Sequence, residues 1–261
     1  GSALASSSKM PIFEAADGQR VERDHVYVMP SNATLTIQRG VLKLLPRATS
    51  TKPSMPVDIF FRALAADVGP RAVGVVLSGT AHDGTLGLEA IKAEGGTTMA
   101  QSPESAKFDG MPRSAIAAGA TDLVLDPTLI AAELVALGTR APTVERSLSS
   151  QRAETALAAL FTLLLRATRV DFSGYKRTTI LRRIARRLTV LKLTQMDEYL
   201  AYVDAHPDEL KILHDDLLIH VTEFFRDPEA FEALKTHVLP AILEQKSDGG
   251  PIRIWVPGCS T

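Results

Sequence analysis

Val75-Val76-Leu77-Ser78-Gly79-Thr80-Ala81-His82-Asp83-Gly84 is the stretch whose reading decides the fold. An apolar run of strand type feeds a glycine-bounded turn, and that turn carries one carboxylate, Asp83, just before a helical pattern begins. The continuous apolar run from Ala72 to Leu77 has the length and character of a strand buried on both faces. Gly84 to Glu94 then sets Leu88 and Ile91 on one helical face, with Gly95-Gly96 as its stop. In open α/β sheets, functional groups sit in such turns at the carboxyl ends of strands, so Asp83 is placed where chemistry is done.

The same alternation extends outward in both directions. Val26-Tyr27-Val28 and Thr34-Leu35-Thr36-Ile37 read as short strands, and Gln38-Arg39-Gly40 before Val41-Leu42-Lys43-Leu44 predicts a hairpin. Ile59, Phe60, Ala63 and Leu64 have helical spacing within Val57 to Ala66. Thr97 to Gln101 and Leu123 to Leu125 are further strands, and Leu129 to Leu137 is a closing helix. Strands alternating with helices predict an α/β domain over residues 10–138, a partial doubly wound parallel sheet. Residues 139–152 lose periodicity and read as a linker.

From Ala153 the pattern turns helical, and residues 153–246 read as an all-helical domain. Leu157, Leu160, Phe161, Leu164 and Leu165 make one stripe, and Ile180 to Leu191 is a second helix. Met196 to Ala205 is a third, with Thr194 as its N-cap and Asp197 in a capping-box position. Leu210, Leu213, Leu217 and Leu218 mark a fourth, and Asp227-Pro228 opens Glu229 to Leu234. Ile252 to Val256 reads as a strand running into the small-residue turn Gly258-Cys259-Ser260-Thr261. Residues 247–261 are therefore expected to be the first strand of a truncated Rossmann-like domain.

Composition narrows the function classes. A net charge of -1 argues against whole-chain attraction to nucleic acid or to an anionic membrane. The single cysteine, Cys259, leaves no internal disulfide and fits a reducing, cytoplasmic setting. Apolar stretches fall short of the roughly 20 residues that span a bilayer, so no membrane insertion is expected. No cluster of metal-ligand spacing stands out, and no metal is expected.

Two readings of Asp83 stand side by side: the orienting acid of a Ser-His-Asp triad, or a cap on the helix that follows it. His82 reads as a turn residue, because adjacent side chains in a turn point apart, and His25 as structural or solvated. A second cluster runs from Gln101 to Ile116, where Gly110 and Pro112 suit a constrained turn before a helix. Arg113 there reads as half of a surface salt bridge. Between Asp171 and Asp197 no acidic residue occurs, while Lys176, Arg182, Arg183, Arg186 and Arg187 are basic. With Leu181, Ile184 and Leu188 facing the core, these cations are expected on the solvent side. They form either a solvated face or a docking surface for an acidic partner. Nucleic acid is the weaker partner for them, since no aromatic residues are interleaved for base stacking. His220 to Pro228 sets a hydroxyl, two aromatics and an arginine beside a helix start, either a ligand edge or a packing turn.

Asp17-Gly18, His25-Val26-Tyr27, the turn through Asp83 and the block Phe108 to Ser114, taken in order, resemble the catalytic domain of chemotaxis protein-glutamate methylesterases of CheB type, from about Pro11 to Leu137. The resemblance implies a serine, a histidine and an aspartate hydrolysing receptor glutamate methyl esters. It carries the aspartate onto Asp83 and expects the other two before residue 1. Thr80 stands where many relatives carry methionine.

Ala153 to Thr261 is similar to chemotaxis receptor methyltransferases of CheR type. That similarity implies S-adenosylmethionine as cofactor, with His220, Thr222 and Arg226 at cofactor-contact positions, His220 standing for the usual asparagine. It also matches the basic helix, with Lys176, Arg182, Arg183, Arg186 and Arg187, to a surface for the acidic helices of methyl-accepting receptors. The combined expectation is the central fragment of a hybrid that demethylates and methylates receptor glutamates. The fragment itself is expected to be inactive, with exposed sheet edges open to self-association. The competing expectation is a non-catalytic module that docks acidic receptor or signalling helices.

Overall fold

In a computed structural model, which describes residues 8–46, 55–148, 150–218, 228–245 and 253–255, the chain begins with two small strand pairs. β1 (Ile12–Glu14) and β2 (Val26–Val28) run parallel, with Phe13 opposite Tyr27. β3 (Ala33–Gln38) and β4 (Val41–Pro46) form the antiparallel hairpin expected from Arg39-Gly40. Both turn residues have positive φ, 52° and 70°, as a two-residue hairpin turn matched to strand twist demands. Helix α1 (Pro56–Val68) packs Phe60, Ala63 and Leu64 onto Leu35, Ile37 and Leu42 of the hairpin. Its Asp67 carboxylate accepts the amides of Arg39 and Gly40, which ties the turn to the helix.

The sheet follows. β5 (Val73–Val76), β6 (Thr97–Gln101) and β7 (Leu123–Leu125) pair in parallel in that order, connected by α2 (Thr85–Ala93) and α3 (Gly110–Ala117). Alternate residues serve opposite faces. Val73, Val75, Met99, Leu123 and Leu125 pack on Ile130 and Leu137 of α4 (Pro127–Leu148). On the other face Val76 meets Leu88 of α2, Ala115 of α3 and Phe61 of α1. Gly74 is a fitted position: a Cβ there would stand 2.6 Å from Leu88 Cδ2 and 2.7 Å from Ile91 Cδ1, so α2 lies directly on the β5 backbone. The expected α/β class with a helix-covered parallel sheet is what the chain forms.

The sheet's closing helix is longer than expected. Residues 139–148, read from the sequence as linker, are the second half of α4. Val144 and Leu148 are buried in the core of the helical half, and that burial holds a helix where local periodicity is weak.

Beyond it come α5 (Gln151–Thr168), α6 (Arg177–Val190), α7 (Met196–Ala205) and α8 (Asp208–Leu217). Leu160, Leu164, Ile184, Leu188, Tyr199 and Leu213 are fully buried where these helices meet. Ser150 caps α5 by accepting the Ala153 amide. The capping box of α7 is displaced by one residue from its predicted place: Gln195 is the N-cap, and Glu198 reaches back to the Gln195 amide at 3.1 Å. The box requires its partner three residues after the cap, which Glu198 satisfies and Asp197 does not.

The largest correction concerns the basic helix. Its buried stripe is Ile180, Ile184 and Leu188, with Leu181 half-buried, and the arginines do not spread over solvent. Arg183, Arg186 and Arg187 are 4%, 3% and 7% exposed, Arg182 is half-buried, and only Lys176 is exposed as expected. Arg187 makes a two-pronged ion pair with Glu209 of α8 at 2.7 and 2.6 Å, and Tyr199 Oη donates to the same carboxylate. Burial opposes the Arg187 charge, yet the Glu209 carboxylate outweighs it and holds the guanidinium's pKa up. Burial and Glu209 together push the Tyr199 phenol far above its usual range. Arg186 pairs with Asp216 of α8 and with Asp122 just before β7. An amphipathic reading assigned these cations to water because it counted only one helix's own apolar stripe. The acidic partners that bury them come from elsewhere in the sequence.

The second unit, His220–Thr261, is described apart. It contains α9 (Pro228–Ala233), a π turn (Leu234–Val238) and α10 (Leu239–Gln245). Of the strand and turn expected over 252–261, only residues 253–255 are described, and these form no strand; the others lie outside the described residues. Among the described residues no helix is long and apolar enough to cross a membrane.

Truncating Arg186 to alanine leaves Asp122 and Asp216 buried without their shared cation. The expected loss is about 3–5 kcal/mol, read as a lower urea midpoint. Arg177→Ala, which removes an exposed pair with Glu154, is expected to cost under about 1 kcal/mol in the same measurement.

Candidate functional site

The Asp83 turn hangs from the carboxyl end of β5, and its backbone is held in place from several sides. Ser78 donates its amide to Gln101 Oε1 at 2.9 Å, at the end of β6. The Gln101 amide nitrogen donates to the carbonyl and hydroxyl of Ser105, so one buried side chain links the loops after two strands. Phe108 donates to Ser78 Oγ at 2.9 Å, Gly79 donates to the Phe108 carbonyl, and Met111 donates to the Gly79 carbonyl. The two segments singled out in the sequence, 75–84 and 101–116, are therefore one structure. Gly79 is required by the close approach: a Cβ there would lie 2.3 Å from Met111 Sδ. Ala81 adopts a φ of 69°, a left-handed conformation held by this framework.

Asp83 is a cap, though not on the helix that follows it. Its two carboxylate oxygens accept the amides of Val57 (3.1 Å) and Asp58 (2.9 Å), the first free N–H groups of α1. Met55, the N-cap residue of α1, makes no side-chain cap, and Asp83 supplies it from outside. The arrangement is reciprocal. Asp58, buried in the first turn of α1, accepts the Gly87 amide in the first turn of α2 at 2.7 Å. Each carboxylate thus faces the positive end of the other's helix. Gly84 and Gly87 make the exchange possible: Gly84 turns the chain at φ 92°, and a Cβ on Gly87 would strike Phe61 Cβ at 2.5 Å.

The half-buried Asp83 carboxylate uses one lone pair on each oxygen for α1, which fixes its plane. A carboxylate so fixed can orient a third donor such as an imidazole N–H. His82 is exposed at the tip of the turn and makes no such bond among the described residues. His25 lies elsewhere, its Nδ1 2.6 Å from the Arg23 carbonyl and its ring stacked on Phe13 and Tyr27. Around the turn, burial and the Asp58 carboxylate push the Glu89 carboxyl above its usual range. Arg113 sits in the surface pair expected of it, 2.5 Å from Asp109, and holds that carboxyl below its usual range.

Pattern reading missed Asp58 and Gln101. Asp58 was visible as an acid two residues after the first-turn proline of a helix, and Gln101 as the amide side chain that ends the strand Thr97 to Gln101. His220, Thr222 and Arg226, the positions matched to S-adenosylmethionine, lie outside the described residues. No group of three or more histidine, cysteine or carboxylate ligands gathers among the described residues.

Residues 2–134 match the family model of CheB methylesterase, and residues 155–218 that of the CheR methyltransferase all-alpha domain. An uncharacterized 104.1 kDa protein of Rhodobacter capsulatus is 35% identical over the whole of this chain, which covers 30% of that protein. A protein-glutamate methylesterase/protein-glutamine glutaminase of Moorella thermoacetica is 48% identical over 53% of this chain and 34% of its own length. One from Rhodospirillum rubrum is 34% identical over 52% of this chain and 39% of its own. The chain thus spans roughly a third of the length of these relatives. The crystal structure of the Thermotoga maritima CheB methylesterase catalytic domain aligns with 52% of this chain and 74% of its own, at 31% identity and a TM-score of 0.48.

Gly79→Ala is expected to destabilise the chain by about 1–3 kcal/mol through overlap with the Met111 sulfur. Adding Met111→Ala is expected to recover part of that loss, a coupling that a double-mutant cycle of urea midpoints measures directly.

Proposed function

This chain belongs to the CheB methylesterase family, and we propose that its N-terminal half supplies the orienting acid, Asp83, for hydrolysis of glutamate methyl esters on receptor proteins. The observation that carries the proposal is the Asp83 carboxylate, fixed by two backbone N–H donors in the turn after β5. In a Ser-His-Asp arrangement the acid holds the imidazole in one tautomer and orientation and stabilises the imidazolium formed when the histidine takes the serine proton. The serine alkoxide equivalent attacks the ester carbonyl, the histidine returns the proton to the leaving methanol, and water then releases the glutamate. Asp83 itself transfers no proton in this scheme. Capping and acid function are compatible, because each oxygen keeps a second acceptor direction after its bond to α1. The serine and histidine that the reaction needs come, in this reading, from elsewhere in a longer protein.

The all-alpha domain of CheR methyltransferase type extends the proposal to a protein that also methylates the same class of glutamate. S-adenosylmethionine would supply the methyl group there. His220, Thr222 and Arg226 remain its proposed contacts. The alternative of a purely non-catalytic docking module loses its main support with the burial of Arg183, Arg186 and Arg187, which leaves no open cationic face on α6.

The test uses the full-length protein and a methylated receptor segment, with released methanol as readout. Asp83→Asn keeps one cap acceptor but favours the wrong imidazole tautomer, and turnover is expected to fall on the order of 10³–10⁴-fold while the fold persists by circular dichroism. Full turnover in a folded Asp83→Asn protein would overturn the assignment.

A further inference from the structure

Phe108 combines a fixed main chain with a ring left in water. Its amide donates to Ser78 Oγ at 2.9 Å and its carbonyl accepts the Gly79 amide at 2.8 Å, so the backbone is bonded on both sides to the Asp83 turn. Gly110 brings the same loop against that turn again: a Cβ there would stand 3.2 Å from the Ala81 nitrogen and carbonyl oxygen. The apolar side chain that the segment sends inward is Met111, packed against the cluster of Val76, Leu88, Ala115 and Ala120. The Phe108 ring belongs to none of the apolar cores among the described residues and is 51% exposed. Packing does not account for it.

Lys107 stands over the ring, its Nζ 5.5 Å from the centroid, in a cation–π contact that takes one face and leaves the other for an apolar group. The loop holding both residues follows β6, and the Asp83 turn follows β5. The two loops therefore open at the same carboxyl end of adjacent parallel strands, where open α/β sheets take their ligands. Leu77, at the start of the Asp83 turn, adds a second exposed apolar side chain there. A ring presented on an already ordered backbone costs little conformational freedom to engage, which is what a preformed contact requires.

We infer that Phe108 is a specificity-determining residue for the ester: its open face takes the methylenes and methyl group of a glutamate methyl ester and favours that side chain over free glutamate. The inference rests on the reading of the Asp83 turn as part of an esterase site. The chemistry selects the occupant. A methyl ester is neutral and offers apolar surface to the ring, whereas a free carboxylate must shed water that a phenyl face does not replace. The ring thus separates substrate from product by what each loses on leaving water.

The experiment uses the full-length protein with a methylated receptor segment and its unmethylated counterpart, read by methanol release and by fluorescence anisotropy of the labelled segments. Phe108→Ala is expected to raise KM and weaken binding of the methylated segment about tenfold, with kcat within about twofold, because the contact is shared by ground and transition states. Binding of the unmethylated segment should change by less than about twofold. Phe108→Tyr keeps the ring and should restore both values for the methylated segment. An exposed ring whose backbone bonds are unaltered can be removed without loss of the fold, which circular dichroism checks. Unchanged KM and binding would overturn the inference. So would an equal loss on both segments, or a fall in kcat at constant KM, which would make the ring a support of the turn. Absence of methanol release from the wild-type protein, or release that survives Asp83→Asn, would overturn the esterase reading instead. Ring-dependent, ester-selective binding would then still uphold the role of Phe108, and its absence would end it.

Discussion

The crossed bonds of two aspartates organise the N-terminal half. Asp83 reaches from the β5 turn to the start of α1, and Asp58 reaches from α1 to the start of α2. Neither helix carries a side-chain cap of its own: α1 relies on Asp83 for its first two free amides, and α2 on Asp58 for the Gly87 amide of its first turn. The exchange fixes the angle at which α1 and α2 meet, and Gly87 and Gly84 exist in the sequence to let the backbones come that close. The position of the Asp83 turn follows from this: α1 holds the hairpin, α2 lies on β5, and the turn is bonded to both the α1 N-terminus and the loops after β6.

A helix cap and a catalytic acid ask for the same things. Both need an ionised carboxylate with a fixed plane, partly shielded from water, near a source of positive potential. The N-terminus of α1 provides all of these, so the two roles open in the sequence do not compete. What the turn's pattern could not show is that the capped helix is the one preceding β5, some 25 residues upstream of Asp83.

How much was legible in the sequence depends on whether the cause was local. The strands at 26–28, 97–101 and 123–125, the Arg39-Gly40 hairpin and the helix at 196–205 were read almost to the residue, because periodicity and turn chemistry decide them. The second half of α4 was not, since Val144 and Leu148 are stabilised by a core that the local pattern does not display. The arginines of α6 were misplaced for the same reason. Their partners Glu94, Asp122, Glu209 and Asp216 lie tens of residues away, and no rule about a single helix can find them. At the candidate site the Asp83 turn was legible in the local pattern, whereas the bonds that Asp58 and Gln101 make to it join distant segments and were not.

Helix α4 deserves a mechanical description. Ile130 and Leu137 are set in the core beneath the sheet, and Val144 and Leu148 in the core of the helical half, so a single rod of 22 residues is clamped at both ends. At 1.5 Å per residue it is about 33 Å long, and a tilt of about 5° at one clamp would carry the other by about 3 Å. Gly138 lies between the clamps, in open space, where a helix bends most cheaply. The two cores thus share one helix, and Gly138 is the point on it where a change in their mutual angle would cost least.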